Sequence, residues 1–139
     1  MNGMELSEYK DLLQDKKPLV QVAMIKQDGT PHVTPLWFDV SDDDLNGSFL
    51  NINTATGRVK SRNIKIGTEL ALSIVDPENL YRYIGFQGTV SDVIKGKIAD
   101  DHIDALAKKY LNKDKYPYRN PNEDRIKIII KLNTKYGNK

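Results

Sequence analysis

One stretch in the middle of the chain carries its strongest chemical signal: Thr54-Ala55-Thr56-Gly57-Arg58-Val59-Lys60-Ser61-Arg62-Asn63. It puts hydroxyls, a glycine and three cations at a predicted strand-to-helix junction. A helix start presents free N–H groups and the positive end of its dipole, and so favours an anion. Arg58, Lys60 and Arg62 add full charges to it. Phosphate is the guest that suits this set. By composition alone a basic run is more often a solvated helix face. Thr54 and Thr56 bring the two readings level, because hydroxyls both cap helices and donate to phosphates.

Two aromatic segments are the next candidates. In Thr34-Pro35-Leu36-Trp37-Phe38 a proline interrupts a predicted strand and leaves neighbouring backbone groups free to meet a ligand. Trp37 is the only tryptophan of the chain. In Tyr81-Arg82-Tyr83 the two tyrosines share a strand face, suited either to a planar ligand or to a cross-strand pair. His32 reads as a residue beside a turn, and His102 as one on the exposed side of a helix start. Asp42-Asp43-Asp44 lacks the spacing of a calcium loop, and Asp100-Asp101 reads as a helix N-cap. The sequence contains no Ser-His-Asp set, HExxH motif or P-loop.

The elements that must position these groups follow from periodicity and turn residues. Met4–Gln14 reads as a short amphipathic helix with Leu6, Tyr9, Leu12 and Leu13 on one face. Strands are predicted over Leu19–Lys26, Pro31–Val40, Ser48–Asn53, Glu69–Val75, Tyr81–Ile94 and Arg125–Asn133. An Asp-Gly turn joins the first two. Ser41–Gly47 reads as an acidic loop, Arg58–Ile66 as a helix stopped at Gly67, and Ala99–Leu111 as a second amphipathic helix. Asn112–Asp124 is polar and reads as a loop. Six strands joined largely by hairpin turns predict a mainly β (α+β) chain: a six-stranded antiparallel barrel with short helices closing its ends. Hairpins exclude a doubly wound parallel sheet.

Composition bounds the partners. The chain has 139 residues, enough for one core, so residues 1–139 are expected to form a single domain. Its net charge is +2, from 21 basic and 19 acidic residues, too balanced for a nucleic-acid-binding barrel. Cysteine is absent, which removes disulfide and thiol chemistry. Met1–Lys17 does not resemble a signal peptide, and no apolar run approaches a bilayer span. The expectation is a cytoplasmic protein with no membrane partner and no bound metal.

The order of motifs says more than any one of them. A QDGTPHVTPLWF hairpin is followed by a strand, then by TATGRVKSRN, then by ELALSIVDPENLYRYIGFQGTV. This order resembles the split-barrel flavoproteins related to pyridoxamine 5′-phosphate oxidase, and most of all the branch that uses the deazaflavin coenzyme F-420. The resemblance covers about Leu6–Val93.

It implies a split barrel that forms a homodimer with two cofactor sites at the subunit interface. It implies FMN or F-420 as cofactor and hydride transfer to an unidentified small organic substrate. Arg58 and Lys60 match the family's phosphate-binding cations, with Val59 offering backbone between them. Asn53 and Thr54 match the strand end beside the ribityl chain. Thr34, Pro35, Leu36 and Trp37 match the segment lining the flavin ring, and Tyr83 a position that reaches the cofactor from the partner subunit. The arginine-rich C-terminal signature of true pyridoxamine 5′-phosphate oxidases is absent. The Asp-Pro that often follows the family's helix is replaced by Ile66-Gly67-Thr68. No catalytic residue is assigned, since the cofactor would carry the chemistry. A cofactor carrier without turnover would show the same clamp.

Overall fold

Alternation of buried and outward-facing side chains shapes three strands of the sheet. In the computed structural model, which describes residues 5–138, β1 (Val20–Ile25), β5 (Glu69–Asp76) and β7 (Arg125–Asn138) as far as Leu132 bury every second side chain. Val20, Val22, Leu72, Ile74, Ile128 and Ile130 meet in one core with Ile84, Phe86 and Val90 of β6 (Asn79–Lys95). The remaining strands are β2 (Pro31–Leu36), β3 (Phe38–Asp39) and β4 (Phe49–Ala55). All pairings are antiparallel, in the order β2-β1-β5-β6-β7-β4-β3.

The predicted strand Pro31–Val40 is two strands, which makes seven in place of six. It breaks at Trp37, and its halves pair at opposite ends of the sheet: β2 with β1, β3 with β4. One residue therefore joins the two edges, so the sheet curls until they meet: a split barrel. Pro31 and Pro35 are tolerated because they sit on edge strand β2. They occupy alternate positions whose nitrogens face away from β1, a register fixed by the Lys26–Thr30 hydrogen bond.

Three helices and a wound N-terminal segment cover the barrel. Met4 lies outside the described residues; beyond it the expected helix is a 3₁₀ turn, Leu6–Tyr9, followed by a π-helical turn, Asp11–Asp15. Its apolar face is as expected, with Leu6, Tyr9, Leu12 and Leu13 all buried. The acidic segment is not a loop but a short helix, α1 (Asp42–Gly47). Ser41 and Asp44 form a reciprocal capping box there, which holds its first turn. The cationic helix is only one turn, α2 (Val59–Asn63), not a helix to Ile66. Asn63 ends it by donating to the Val59 carbonyl at 2.7 Å, and Gly67 takes a positive φ of 93° beyond it. The long helix α3 (Lys97–Leu111) starts after Gly96, so Asp100 lies in its first turn and neither aspartate is the N-cap. Among the described residues no helix is long and apolar enough to cross a membrane.

Gly88 marks a close approach, as its place in a strand suggested: a Cβ there would lie 2.6 Å from the Ile130 side chain.

A buried ionic clasp ties the N-terminal segment to the barrel. Asp76 is 2% exposed and accepts from Lys16 at 2.9 Å and Arg82 at 3.0 Å, while Arg82 also grips Asp11. Lys16, the Glu78 N–H and Arg82 hold the Asp76 carboxyl well below its usual value of 3.8. The clasp therefore stabilises the fold fully above about pH 4–5, and that contribution drains away as pH falls toward the depressed value. Thermal melts from pH 7 to pH 3 should show a steep acid loss in the wild type. Asp76→Asn should lower stability at pH 7 and flatten that loss. An unchanged slope would separate acid sensitivity from the clasp.

Candidate cofactor site

A cavity of about 270 Å³ opens where the β2–β3 break, the end of β4, α2 and α3 converge. Pro35, Leu36, Trp37, Asn53, Thr54, Arg58 and Lys60 all line it, so seven of the ten residues singled out from sequence come together. Thr34 stands directly behind the wall: its hydroxyl accepts from Lys60 Nζ at 2.9 Å. Val59 is half-buried, and its carbonyl is taken by Asn63. Tyr83 is not in the wall; it pairs with Val75 and Asn138 elsewhere on the sheet.

The helix end contributes less than its sequence suggested. A single turn has little macrodipole, so the cations dominate. Arg58 and Lys60 both reach the cavity, whereas Arg62 folds back on the Gly57 carbonyl at 3.0 Å and braces the turn. The basic run thus divides into two ligand-facing charges and one structural charge.

Reasoning from sequence missed the third cation. Arg125, the first residue of β7, enters the cavity beside Asn53, whose Oδ1 accepts from Arg125 Nε at 2.9 Å. It lies opposite Ala55 in the β4–β7 ladder, a pairing across 70 residues that no local signal announces. Residues 112–124 form a loop, as expected, and side-chain and backbone ties fix its path. Tyr116 N–H donates to Asp104, Arg119 pairs with Asp100, and Asp124 exchanges two hydrogen bonds with Thr56. These ties bring Tyr116 and Tyr118 into the wall, with Ile103 and Leu106 of α3. The expected apolar stripe of α3 therefore serves both core and site.

The aromatic side of the cavity is rigid. Trp37 stacks on Tyr110 with centroids 5.2 Å apart and planes 4° from parallel, and the edge of Tyr116 meets it at 5.9 Å. Tyr110 in turn donates to the Pro18 carbonyl at 2.6 Å, and burial pushes its phenol above the usual value.

The charged side is under-compensated. Lys60 is 8% exposed, and among the described residues its ammonium donates only to the neutral Thr34 hydroxyl. Burial, then the nearby Arg58 charge, lowers its pKa. Burial is also the leading cause of a lowered value at Arg125, whose guanidinium lies 5.1 Å over the Tyr116 ring. Among the described residues no carboxylate lies within ion-pairing distance of Lys60 or Arg125; Glu123 is 3.5 Å from Arg58. Buried charges are normally paired, and an anion in the cavity would pair these.

An antiparallel split barrel with an aromatic and cationic cavity at its seam defines the structural class of this protein. The sequence profile of the pyridoxamine 5′-phosphate oxidase family matches residues 6–134, and the chain belongs to that family. No curated protein matches it. Among solved structures it is similar to an F420 reductase, at 29% identity and a TM-score of 0.74, with 92% of this chain and 95% of that one covered. A putative pyridoxamine 5′-phosphate oxidase from Listeria innocua shares the fold at 12% identity and a TM-score of 0.66, with 94% and 95% covered. The heme storage protein HutZ from Vibrio cholerae does so at 11% and 0.60, with 96% and 95% covered.

Proposed function

We propose that this protein is a flavin- or deazaflavin-dependent oxidoreductase whose cavity takes the phosphate end of FMN or coenzyme F-420. The observation that carries this is the pair of unneutralised cations, Lys60 and Arg125, in one cavity beside a fixed tryptophan. The donor set suits a phosphate: an ammonium, two guanidinium groups and the Thr54 hydroxyl. Arg58, Lys60 and Arg125 would hold the phosphate. Pro35, Leu36 and Trp37 would line the ring, and Asn53 would sit beside the ribityl chain. When bound, the cofactor supplies the hydride-transfer chemistry. The residues of this chain bind it, orient it and exclude water with the Trp37–Tyr110 stack.

The likeness to an F420 reductase supports the oxidoreductase reading. At about 270 Å³ the cavity falls below the ~300–1,000 Å³ of whole small-molecule sites. That deficit supports a homodimer in which a second copy completes the site, and Tyr83 would then act across the interface.

Titration of the purified protein with FMN and with F-420, followed by absorption and by Trp37 emission, tests the proposal. One of the two should bind and quench the single tryptophan. If neither binds more tightly than ~100 μM, about −5.5 kcal/mol, the reading fails. Reduced cofactor mixed with quinones or enoates then separates enzyme from carrier: oxidation above background is expected, and its absence would favour the carrier.

A further inference from the structure

Arg125 reaches the cavity at the end of a hydrogen-bonded chain that sequence analysis did not foresee. His102 is not on an exposed helix face; it is 6% exposed and packs between β3 and β4. Asn53 is 5% exposed beneath α3. Its Nδ2 faces the Ala99 carbonyl at 3.0 Å and His102 Nδ1 at 3.1 Å, while its Oδ1 faces Arg125 Nε at 2.9 Å. His102 Nε2 faces Asp39 Oδ1 at 2.8 Å.

Two of these neighbours leave no choice. A carbonyl only accepts and an arginine N–H only donates. The Asn53 amide must therefore point its NH₂ at Ala99 and its oxygen at Arg125. Its second N–H then meets His102 Nδ1, which must be a lone pair. The His102 proton therefore sits on Nε2 and is donated to Asp39. The direction is unbroken: Arg125 donates to Asn53, Asn53 to His102, and His102 to Asp39.

We propose that Asn53, His102 and Asp39 form a positioning relay that holds the Arg125 guanidinium in the cavity, and that protonating His102 releases it. This rests on reading the cavity as an anion site. A second proton on His102 must go to Nδ1, where it would confront the Asn53 N–H. Turning the amide over would only move the conflict to Arg125 and Ala99. Asn53 must therefore shift, and Arg125 loses its anchor. The charged groups around His102 are Asp39 of β3, Lys109 of α3, whose ammonium feels the Asp39 carboxylate, and Arg125 of β7 beyond Asn53.

The sign of the effect distinguishes the relay from simple charge. An imidazolium near an anion site raises anion affinity through Coulomb attraction alone. The relay lowers it. Affinity for whichever of FMN and F-420 binds, measured for the wild type and for His102→Gln from pH 8 to pH 5, reads this out. Protonation of the FMN phosphate affects both proteins alike and cancels in their ratio. Wild-type affinity relative to the variant should fall roughly tenfold between pH 8 and pH 5, the worth of about one net hydrogen bond. A ratio that stays flat or rises overturns the relay.

A second arm needs neither variant nor ligand. Nitrogen NMR of the free wild-type protein at pH 8 should show His102 protonated on Nε2 only. The Arg125 Nε–H resonance should then shift with the midpoint of the His102 titration. An Nδ1–H tautomer, or an Arg125 signal indifferent to that titration, refutes the proposal. If the wild type binds neither FMN nor F-420, the anion-site reading fails while this arm still decides the relay.

Discussion

Replacing both Arg58 and Lys60 by alanine is expected to weaken FMN or F-420 binding by roughly two to four orders of magnitude. The estimate follows from two charge-assisted hydrogen bonds, each worth about 1.5–3 kcal/mol, with about 1.4 kcal/mol to each decade. Lys60 should dominate. It is nearly buried and its pKa is already lowered, so an anion relieves a standing cost. Arg58 is 54% exposed on its side chain and shares its charge with Glu123 at 3.5 Å. Solvent screens it more, and its single mutant should lose less. Arg62→Ala is the matched control. Its guanidinium holds the Gly57 carbonyl, so removing it should cost some local stability but little affinity. Isothermal titration of the double mutant, the two single mutants and Arg62→Ala checks the order. Equal affinity of the double mutant and the wild type would remove the phosphate assignment.

The largest effect on stability is expected at the barrel centre. Phe86 is fully buried on β6, between Leu72 of β5 and Lys135 of β7 in the ladder. Phe86→Ala should cost about 3–5 kcal/mol, the lost transfer of the ring plus the cavity left behind. That is a large share of the roughly 5–15 kcal/mol by which such domains are stable. The walls around Phe86 are strands hydrogen-bonded on both sides, so collapse into the space is restricted. Urea unfolding should show a lower midpoint with an unchanged slope. A loss below about 1 kcal/mol would mean that the core repacks freely there.

The two expected losses differ in kind. Phe86→Ala should act through the whole barrel and reach the cavity only by depopulating the folded state. Arg58→Ala with Lys60→Ala should leave unfolding close to wild type, or raise stability slightly by removing the repulsion between Arg58 and Lys60.

Much of the fold was legible because it is encoded locally. Alternation in Ile126, Ile128, Ile130 and Leu132 set the buried face of β7, and all four are buried. The Asp-Gly turn set the first hairpin, with Gly29 at a φ of 87°. Elements were misread where a short-range competitor decided the outcome. The Ser41–Asp44 capping box turned an apparent acidic loop into a helix. The Asn63 side chain closed α2 after one turn. Both are side-chain-to-backbone bonds, which hydrophobic periodicity does not register.

By itself the sequence determined the strands, their buried faces, and a cationic junction following an aromatic segment. These depend on residue type and spacing within a few turns of chain. Tertiary structure alone decided that one strand splits at Trp37 to seal the barrel, and that Arg125 joins Arg58 and Lys60. It also decided that His102 lies buried behind that arginine and that the 112–124 loop walls the cavity. Each depends on the register between strands and helices tens of residues apart. Register is set by the packing of the whole core, so no local window of the chain contains it.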